Sequence, residues 1–504
     1  MTSLLGLGRH DSWGGVRAVV AGFGVSGFAA ADNLLHLGAT VTALDEKPDG
    51  PDGRAEKAEL LEVLGATIRL GGGTTATLPD DVDLLVTSPG WRPDAPLLAQ
   101  ARDRGIPIWG EVELAWRLRD PHHNTPWLAV TGTNGKTTTV QMLDAILRAA
   151  GLRSVAAGNV GLPIVEVVMD PEPYDVLAVE LSSYQLHYTD SMSAEAAAVL
   201  NVAPDHLDWY AALDQKQPMA AYAADKGRIY ERVQRACVYN VADPVTEELV
   251  RGADVVEGAR AIGFTLGMPG VGMLGVVEDI LADRAFVEAR ETSAAELCTL
   301  ADLTPPGAEG PAPHTIQNAL AAAALARAHG VDQAAVRDGL RGFRTDGHRI
   351  ALVAERDGIT WVDDSKATNP HAAQASLVAY DPVVWIAGGL AKGASFDDLV
   401  RTVAGRLRGA VLLGRDRDVI AEALARHAPD VPVILVDTRE TSVTEGDHAS
   451  VEADPMRRVV AAAAELARPG DTVLLAPGCA SQDMFTDYAA RGDAFAAAVH
   501  ERMT

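Results

Sequence analysis

The chain has 504 residues, which is too long for one ordinary hydrophobic core and suggests about three domains. Its net charge of −26 is spread over many segments, which disfavours a nucleic-acid surface and requires any nucleotide to bind locally. Three distant cysteines, the lack of an apolar run of membrane-spanning length and the lack of a leader-like segment in residues 1–13 predict a cytoplasmic protein without disulfides or membrane insertion.

The first part of the chain alternates apolar runs with helical stretches, as a parallel doubly wound sheet does. Strands are predicted at 17–21, 40–44 and 84–87. The glycine turn Gly22-Phe23-Gly24-Val25-Ser26-Gly27 follows the first strand, and Asp45 closes the second. Glycines at this spacing let a diphosphate approach the backbone, so a nicotinamide dinucleotide and a UDP-linked substrate fit equally well. We predict a Rossmann-like domain over residues 1–118.

Residues 131–139 read T-G-T-N-G-K-T-T-T, between an apolar strand and a helix predicted to begin near Lys136. Backbone N–H groups of such a loop converge on phosphate, Lys136 neutralises its charge, and the Thr137 hydroxyl can ligate magnesium. Val130 stands where the common phosphate-loop pattern has glycine, so this is a shorter G-x-x-G-K-T variant. We predict that ATP binds here, to Gly132, Thr133, Asn134, Gly135, Lys136, Thr137, Thr138 and Thr139.

The strands predicted for this central α/β domain are 127–131, 176–180, 197–201 and 236–240, while residues 255–314 are too rich in glycine and proline to assign. Glu180 ends one strand, at the edge where parallel sheets bind ligands. His206 follows the next strand between two carboxylates, so Glu180 and His206 could share a metal. Magnesium prefers oxygen ligands, and taken alone His206 is more often structural. Lys226 lies in a helical stretch, where most lysines are solvated.

The central domain is predicted to cover residues 119–316, and the third domain residues 317–504. The third begins with an alanine-rich helix at Asn318 and continues as a second doubly wound α/β unit, with strands near residues 350, 359, 383, 410, 433 and 473. Loops after these strands could bind a small carboxylate-bearing substrate through Lys392 and Ser481. Lys366 and Arg349 could offer positive charge to phosphate. Cys479 is more often a buried, inert thiol than a reactive one.

Six segments occur in the order TGTNGKTT, LSSYQL, N-x-x-P-D-H-L-D, DDSKATNP, GGLAKG and PGCAS-x-D, and together they resemble the Mur ligases of peptidoglycan synthesis over nearly the whole chain. SSYQL and DDSKATN resemble the branch that adds D-glutamate to UDP-N-acetylmuramoyl-L-alanine. The resemblance implies a monomeric, ATP-dependent ligase with two magnesium ions. In the implied reaction the L-alanyl carboxylate attacks the γ-phosphate of ATP, and the amine of D-glutamate then displaces phosphate from the acyl phosphate to form an amide.

The resemblance also implies a role for each residue at a matching position. Lys136 and Thr137 would hold phosphate and the first magnesium, together with Glu180. His206 would ligate the second magnesium, which Lys226 would orient as a lysine carbamate. The implied substrate contacts are Gly24, Val25, Ser26, Gly27, Asp45 and Asn159 for the UDP substrate, Asn318, Arg349 and Asp364 for ATP, and Lys366, Thr368, Lys392, Ser481 and Tyr488 for D-glutamate.

Two other functions are open on the sequence. A nicotinamide-dependent oxidoreductase would use residues 22–27 and keep the second loop for regulation, but this explains far fewer residues. A catalytically inactive nucleotide-binding regulator would keep the fold but would not need the catalytic residues. The presence of all four, Lys136, Glu180, His206 and Lys226, argues against this hypothesis. The chain departs from the family pattern at residues 314–318, 45–47 and 487–488, so contacts with adenine, uracil and D-glutamate are expected to differ there.

Overall fold

The computed structural model describes residues 4–47, 54–304, 310–343, 347–348, 350–436 and 455–503. The chain forms two compact units, one of residues 1–202 with 209–343 and the other of residues 203–208 with 344–504. Parallel strands alternate with helices in both units, so the predicted α/β class is confirmed. Within the described ranges, a helix with the length and apolarity needed to cross a bilayer is absent.

The first unit opens with a parallel sheet. Its elements are β1 (Arg17–Ala21), α1 (Val25–His36), β2 (Thr40–Asp45), α2 (Arg54–Val63), β3 (Thr67–Leu70), β4 (Leu84–Thr87), α3 (Pro96–Asp103), β5 (Ile108–Gly110) and α4 (Glu111–Arg117). The strand order β3-β2-β1-β4-β5 is doubly wound and brings the ends of β1 and β4 together. All three predicted strands are confirmed, and the edge strands β3 and β5 are additional.

A larger sheet follows in the same unit. Its strands are β6 (Trp127–Thr131), β7 (Ser154–Gly158), β8 (Val176–Glu180), β9 (Ala196–Val199), β10 (Ala236–Asn240), β11 (Arg260–Phe264), β12 (Met273–Val277), β13 (Ile280–Asp283) and β14 (Ala295–Thr299). In the described residues the order is β14-β13-β12-β11-β10-β9-β6-β8-β7, with antiparallel pairing only from β12 to β14. The segment 255–314, unassigned from the sequence, thus extends the central sheet.

Eight helices are described around this sheet. They are α5 (Lys136–Ala149), α6 (Ile164–Met169), α7 (Ser183–His187), α8 (Leu207–Tyr210), α9 (Pro218–Gly227), α10 (Pro244–Arg251), α11 (Pro313–His329) and α12 (Gln333–Gly342). The alanine-rich helix α11 begins at Pro313 and not at Asn318, because proline suits the first helical turn. Its alanines are buried in one core with α5 and the central strands, so the boundary predicted at 316/317 falls inside a helix of this core. The division into 1–118, 119–316 and 317–504 stays a prediction.

The second unit contains the third sheet. Its elements are β15 (Ala351–Arg356), β16 (Ile359–Asp363), α13 (Pro370–Leu377), β17 (Val383–Gly388), α14 (Asp397–Val403), β18 (Leu407–Leu413), α15 (Arg417–His427), β19 (Val433–Leu435), α16 (Pro455–Leu466), β20 (Thr472–Leu475) and α17 (Tyr488–Met503). The order is β15-β16-β20-β17-β18-β19, and all pairs except β15–β16 are parallel. The predicted strands are confirmed. The loops after β16, β17 and β20 therefore all leave the sheet on the same side, at the carboxyl ends of these parallel strands.

Candidate active site

The phosphate loop lies between β6 and α5, as predicted. Gly132 and Gly135 both have positive φ angles, 157° and 86°. A Cβ atom on Gly135 would overlap the side-chain oxygen of Asn318 on α11, so only glycine fits beside this helix. Asn318 is buried against the loop, while its contact with adenine stays a prediction. Because α5 starts at Lys136, its unpaired N–H groups are available to phosphate at this loop.

The threonines that follow form the first turn of α5. Thr137 is half-buried, whereas Thr138 and Thr139 are buried. The Thr139 hydroxyl donates to the Gly135 carbonyl oxygen at 2.9 Å, which helps to close the loop onto the helix. Of these three hydroxyls, that of Thr137 is therefore the best placed to serve a ligand.

Asn201 holds the phosphate loop and was not among the predicted site residues. Its side-chain oxygen accepts from the Asn134 N–H at 2.8 Å, and its carbonyl oxygen accepts from the Thr133 N–H at 3.0 Å. The predicted strand 197–201 is wrong at its end, because β9 stops at Val199 and frees Asn201 for these contacts. Its position as the first residue of the N-x-x-P-D-H-L-D segment was the available signal.

Two lysine ammonium groups converge on one carbonyl oxygen of the loop. Lys136 Nζ and Lys226 Nζ each donate to the Gly132 oxygen at 2.9 Å. Lys226 is only 2% exposed, so the expectation that a lysine of this helix is solvated is wrong for it. Its Nζ also lies 4.6 Å from the centre of the Tyr222 ring. This concentration of positive charge suits a polyphosphate.

Glu180 ends β8 directly beside β6, at the ligand-binding edge of the sheet. It is 2% exposed, and its Oε1 accepts from the Asn159 side-chain amide at 2.9 Å. Its Oε2 is buried and has no hydrogen-bond partner among the residues that the structure describes. A carboxylate oxygen in that state is an available ligand for a cation.

His206 belongs to the short segment Ala203–Asp208, which is part of the second unit. It has a left-handed φ of 55°, and its Nε2 lies 3.5 Å from the carboxylate of Asp205. A cluster of three or more histidine, cysteine, aspartate or glutamate side chains suited to a metal does not occur within the described ranges. The role of His206 as a metal ligand stays a prediction.

The glycine turn after β1 leads into α1, which begins at Val25. A Cβ on Gly27 would overlap the Gly22 carbonyl, so glycine is required there for the helix to pack on the turn. Gly24 and Val25 are exposed and Ser26 is half-buried, which leaves the turn open to a ligand.

Asp45 is engaged within the protein. Its Oδ2 accepts from the Phe23 N–H at 2.7 Å and from the guanidinium of buried Arg54 at 3.0 Å, and its Oδ1 accepts from the Lys47 N–H at 2.9 Å. These contacts hold the carboxylate beside the glycine turn, and its contact with the UDP substrate stays a prediction. Arg54 is a residue that the sequence alone did not single out.

In the second unit, the loop after β16 carries buried carboxylates. Asp363 accepts from His348 Nδ1 at 2.6 Å and from the Ser365 N–H at 2.8 Å, and buried Asp364 accepts from the Ser376 hydroxyl. Lys366 Nζ lies 5.2 Å from the centre of the Tyr488 ring, which brings two residues expected to bind D-glutamate together. Thr368 is half-buried in the same loop.

Arg491 connects the ligand loops and was missed by sequence reasoning. It is 1% exposed and donates to the hydroxyl and carbonyl oxygens of Ser365 at 2.9 and 2.8 Å and to the Cys479 carbonyl at 3.1 Å. Burial lowers the pKa of its guanidinium to about 10. A buried cation that joins the loops after β16 and β20 favours an anionic substrate beside them. Its place on α17, far along the chain from the loop after β16, gave no sequence signal.

Other predicted residues lie around these loops. Lys392 is exposed and has a left-handed φ of 51°. Ser481 is buried, and its hydroxyl has no hydrogen-bond partner in the described part of the chain. Burial raises the pKa of the Cys479 thiol to about 12, so the inert interpretation of this cysteine holds. Arg349 lies outside the described residues.

Comparison with protein families gives three matches along the chain. The Mur ligase MurD-like N-terminal domain matches residues 16–110, the Mur ligase middle domain residues 130–326, and the Mur ligase glutamate ligase domain residues 348–479. Together they cover all three sheets.

Curated relatives match nearly the whole chain. The UDP-N-acetylmuramoylalanine–D-glutamate ligase of Streptomyces avermitilis is 60% identical over 97% of this chain and 98% of its own length. The enzyme of the same name from Thermobifida fusca is 53% identical over 96% of this chain and 97% of its own length.

Solved structures share the fold at low identity. A pseudomurein peptide ligase type C from Methanothermus fervidus has a TM-score of 0.55 at 18% identity, with 97% of this chain and 100% of that chain covered. The UDP-N-acetylmuramate-alanine ligase of Thermotoga maritima has a TM-score of 0.52 at 18% identity, with 96% and 99% covered. With its phosphate loop, its three sheets and these matches, the chain belongs to the Mur ligase family.

Proposed function

We propose that this chain is an ATP-dependent ligase that joins D-glutamate to UDP-N-acetylmuramoyl-L-alanine, and that it acts as a cytoplasmic monomer. The observation that carries the substrate assignment is the 60% identity to a relative of that name over nearly the full length of both chains. The chemistry is supported by Lys136 and the N-terminus of α5, which place positive charge at the phosphate loop.

Carbamylation of Lys226 is favoured by electrostatics. Two ammonium groups on one carbonyl oxygen repel each other at short range. If the Lys226 ammonium gives a proton to solvent, and the resulting amine adds to CO₂ and releases a second proton, a negative carbamate replaces the positive charge beside Lys136, and repulsion becomes attraction. The remaining carbamate N–H can still donate to the Gly132 oxygen. The new oxygens would be ligands for the second magnesium together with His206.

The residues at the loop fit a first magnesium ion. Magnesium prefers oxygen ligands, and the buried Oε2 of Glu180 and the hydroxyl of half-buried Thr137 supply that chemistry. When bound, magnesium neutralises negative charge on the phosphate oxygens during transfer. Asn159 orients the Glu180 carboxylate through its 2.9 Å hydrogen bond.

The reaction proceeds in two steps. An oxygen of the L-alanyl carboxylate attacks the γ-phosphorus and ADP leaves, while Lys136 and the loop N–H groups stabilise the phosphate charge. The amine of D-glutamate then attacks the acyl carbon, phosphate leaves with that carboxylate oxygen, and the amine loses a proton. The expected contacts are Gly24, Val25, Ser26, Gly27, Asp45 and Asn159 for the UDP substrate, Asn318, Arg349 and Asp364 for ATP, and Lys366, Thr368, Lys392, Ser481 and Tyr488 for D-glutamate.

Oxygen labelling tests this route. UDP-N-acetylmuramoyl-L-alanine with both alanyl carboxylate oxygens replaced by ¹⁸O is incubated with ATP, magnesium and D-glutamate, and the released phosphate is examined by ³¹P NMR. Each phosphate should carry one ¹⁸O atom, because the acyl phosphate passes one carboxylate oxygen to phosphate. Unlabelled phosphate formed together with the amide product would rule out the acyl-phosphate step.

A further inference from the structure

Trp209, on helix α8, lies between the glycine turn and the phosphate loop, which the proposed function assigns to different substrates. Its indole Nε1 donates to the carbonyl oxygen of Trp91 at 3.1 Å, and the side chain is almost fully buried, with the whole residue 4% exposed. Trp91 follows β4, whereas Trp209 follows β9 of the central sheet. An indole N–H has a single donor, so this bond fixes the ring in one orientation.

The Trp91 end of this contact packs on the glycine turn. A Cβ on Gly22 would lie 2.8 Å from both Trp91 Nε1 and Ser88 Oγ, so both side chains press against that glycine. The Ser88 hydroxyl also donates to the Gly22 carbonyl at 3.2 Å. A ligand that orders the turn therefore also restrains the loop 88–91 and the carbonyl to which Trp209 binds.

The other end leads through a row of packed aromatic rings to the phosphate loop. The Trp209 ring is 4.7 Å from Tyr210, and Tyr210 is 5.3 Å from Tyr222, both in edge-to-face geometry. The Tyr222 hydroxyl is 2.9 Å from the Thr133 hydroxyl, and the Tyr222 ring faces Lys226 Nζ. Tyr210 and Tyr222 are buried in a closely packed interior, so a shift of the Trp209 ring must also move these two rings.

We propose that Trp209 is a positioning residue that couples binding of the UDP substrate at the glycine turn to the arrangement of Thr133 and Lys226 in the phosphate loop. The inference rests on the proposed function for the identity of the two ligands. Whichever ligand binds first orders the shared contacts, so the second binds with a smaller loss of conformational entropy. The coupling is reciprocal, because each ligand changes the affinity for the other by the same factor.

The test is a binding cycle by calorimetry with the full chain. The dissociation constant of a non-hydrolysable ATP analogue with magnesium is measured with and without saturating UDP-N-acetylmuramoyl-L-alanine. We expect the UDP substrate to tighten analogue binding by at least about fivefold in the wild type. Trp209→Phe keeps an aromatic ring but removes the N–H donor. In this variant the UDP substrate should change the dissociation constant of the analogue by less than about twofold.

Two further variants separate coupling from stability. Tyr222→Phe cuts the other end of the chain of contacts by removing the hydrogen bond to Thr133, and it should also abolish the coupling. Tyr188→Phe is the matched control, because the Tyr188 hydroxyl is buried in the same cluster, beside His187, but has no hydrogen-bond partner among the described residues. In Tyr188→Phe the UDP substrate should tighten binding of the ATP analogue as much as in the wild type. If Trp209→Phe fails to fold, Tyr222→Phe decides the question.

Two results would overturn the inference and leave the ligase assignment intact. One is that the UDP substrate does not change the dissociation constant of the ATP analogue in the wild type. The other is that folded Trp209→Phe shows the same change as the wild type. Failure of the wild type to bind the UDP substrate at all would instead remove the proposed function, and the inference with it.

Discussion

At the scale of single residues, Lys226 is the most unusual group of the site. Its buried ammonium shares a carbonyl oxygen with Lys136, which is the charge arrangement that carbamylation would relieve. We expect Lys226→Ala to lower the rate of ligation by roughly 100-fold or more, because it removes the carbamate that we propose as a ligand of the second magnesium. Millimolar formate or acetate should restore part of the activity by filling the space with a carboxylate.

The control for this experiment is Lys216→Ala, which removes an exposed lysine from the loop before the same helix. Its rate should equal that of the wild type, with or without added carboxylate. Full activity in Lys226→Ala would contradict the carbamate hypothesis.

Glu111 is a second unusual residue, at the start of α4. It is 1% exposed, Oε1 accepts from the Val165 N–H at 2.8 Å, and burial raises the pKa of the carboxyl from 4.5 to about 7. The folded protein thus keeps a proton that the unfolded chain loses between pH 4.5 and 7. The contribution of Glu111 to the free energy of unfolding therefore falls as the pH rises from 4.5 to about 7, and it is constant at higher pH.

Glu111→Gln removes this titration and keeps the shape of the side chain. Relative to the wild type, its free energy of unfolding should increase by up to about 3 kcal/mol between pH 5 and pH 8. Urea unfolding of both proteins at the two pH values measures the difference, with exposed Glu62→Gln as the control that should show none. A difference between Glu111→Gln and the wild type that does not change with pH would show that Glu111 does not carry the proton.

At the scale of elements, the turn from β6 into α5 depends on glycine. Gly135 and Gly151 both have left-handed φ angles, 86° and 80°, but a Cβ on Gly135 meets Asn318 whereas one on Gly151 meets nothing within 4 Å. Both alanine variants therefore carry a similar backbone strain of about 1 kcal/mol. We expect Gly135→Ala to weaken binding of an ATP analogue at least about tenfold and Gly151→Ala to leave it unchanged, as measured by calorimetry. Equal affinities would mean that Asn318 does not set the shape of the loop.

Helix α17 contributes to the site through Arg491, which joins the loops after β16 and β20. Lysine cannot make its several directional hydrogen bonds, so Arg491→Lys should raise the KM for D-glutamate about tenfold or more and leave that for ATP nearly unchanged. Arg502→Lys, on the exposed end of the same helix, should change neither constant. Equal increases in both constants would indicate a general structural role instead.

The sequence predicted most of the buried central strands well and missed the edge strands β3, β5 and β7. Strands β1, β4, β6, β8 and β10 match their predicted bounds because they are near-continuous apolar runs. The edge strand β3 has no fully buried residue, and β11 to β14 are short, with glycine inside β11 and β12, so neither group gives a clear apolar signal. The predicted start of helix α11, Asn318, is later than its actual start at Pro313, because Pro313 and the residues after it resemble a loop.

The site was predictable where one segment carries several functional residues in a row. The phosphate loop directly follows β6 and Glu180 ends β8, so their positions in the fold were predictable from the apolar strands. Asn201 and Arg491 act through hydrogen bonds to Asn134 and Ser365, which are distant in sequence, and such pairings depend on the tertiary fold. Arg54 is close to Asp45 in sequence, but no motif marks it as a partner. Lys226 was assigned through the family resemblance, since the helical pattern around it indicated a solvated side chain.

At the scale of the whole molecule, strong acidity and polyphosphate binding must coexist. The net charge of −26 repels an anionic nucleotide at long range, so affinity must come from short-range donors at the loops. Lys136 and the N-terminus of α5 supply these donors at the central sheet. Magnesium would add further positive charge at the same place.

The most direct test is phosphate release by the purified protein with ATP, magnesium and UDP-N-acetylmuramoyl-L-alanine, compared with D-glutamate, L-glutamate and no amino acid, with the product weighed by mass spectrometry. The account predicts release that depends on D-glutamate and a product heavier by one glutamyl unit. Release only with L-glutamate would contradict the substrate assignment, and no release under any condition would contradict the ligase function itself.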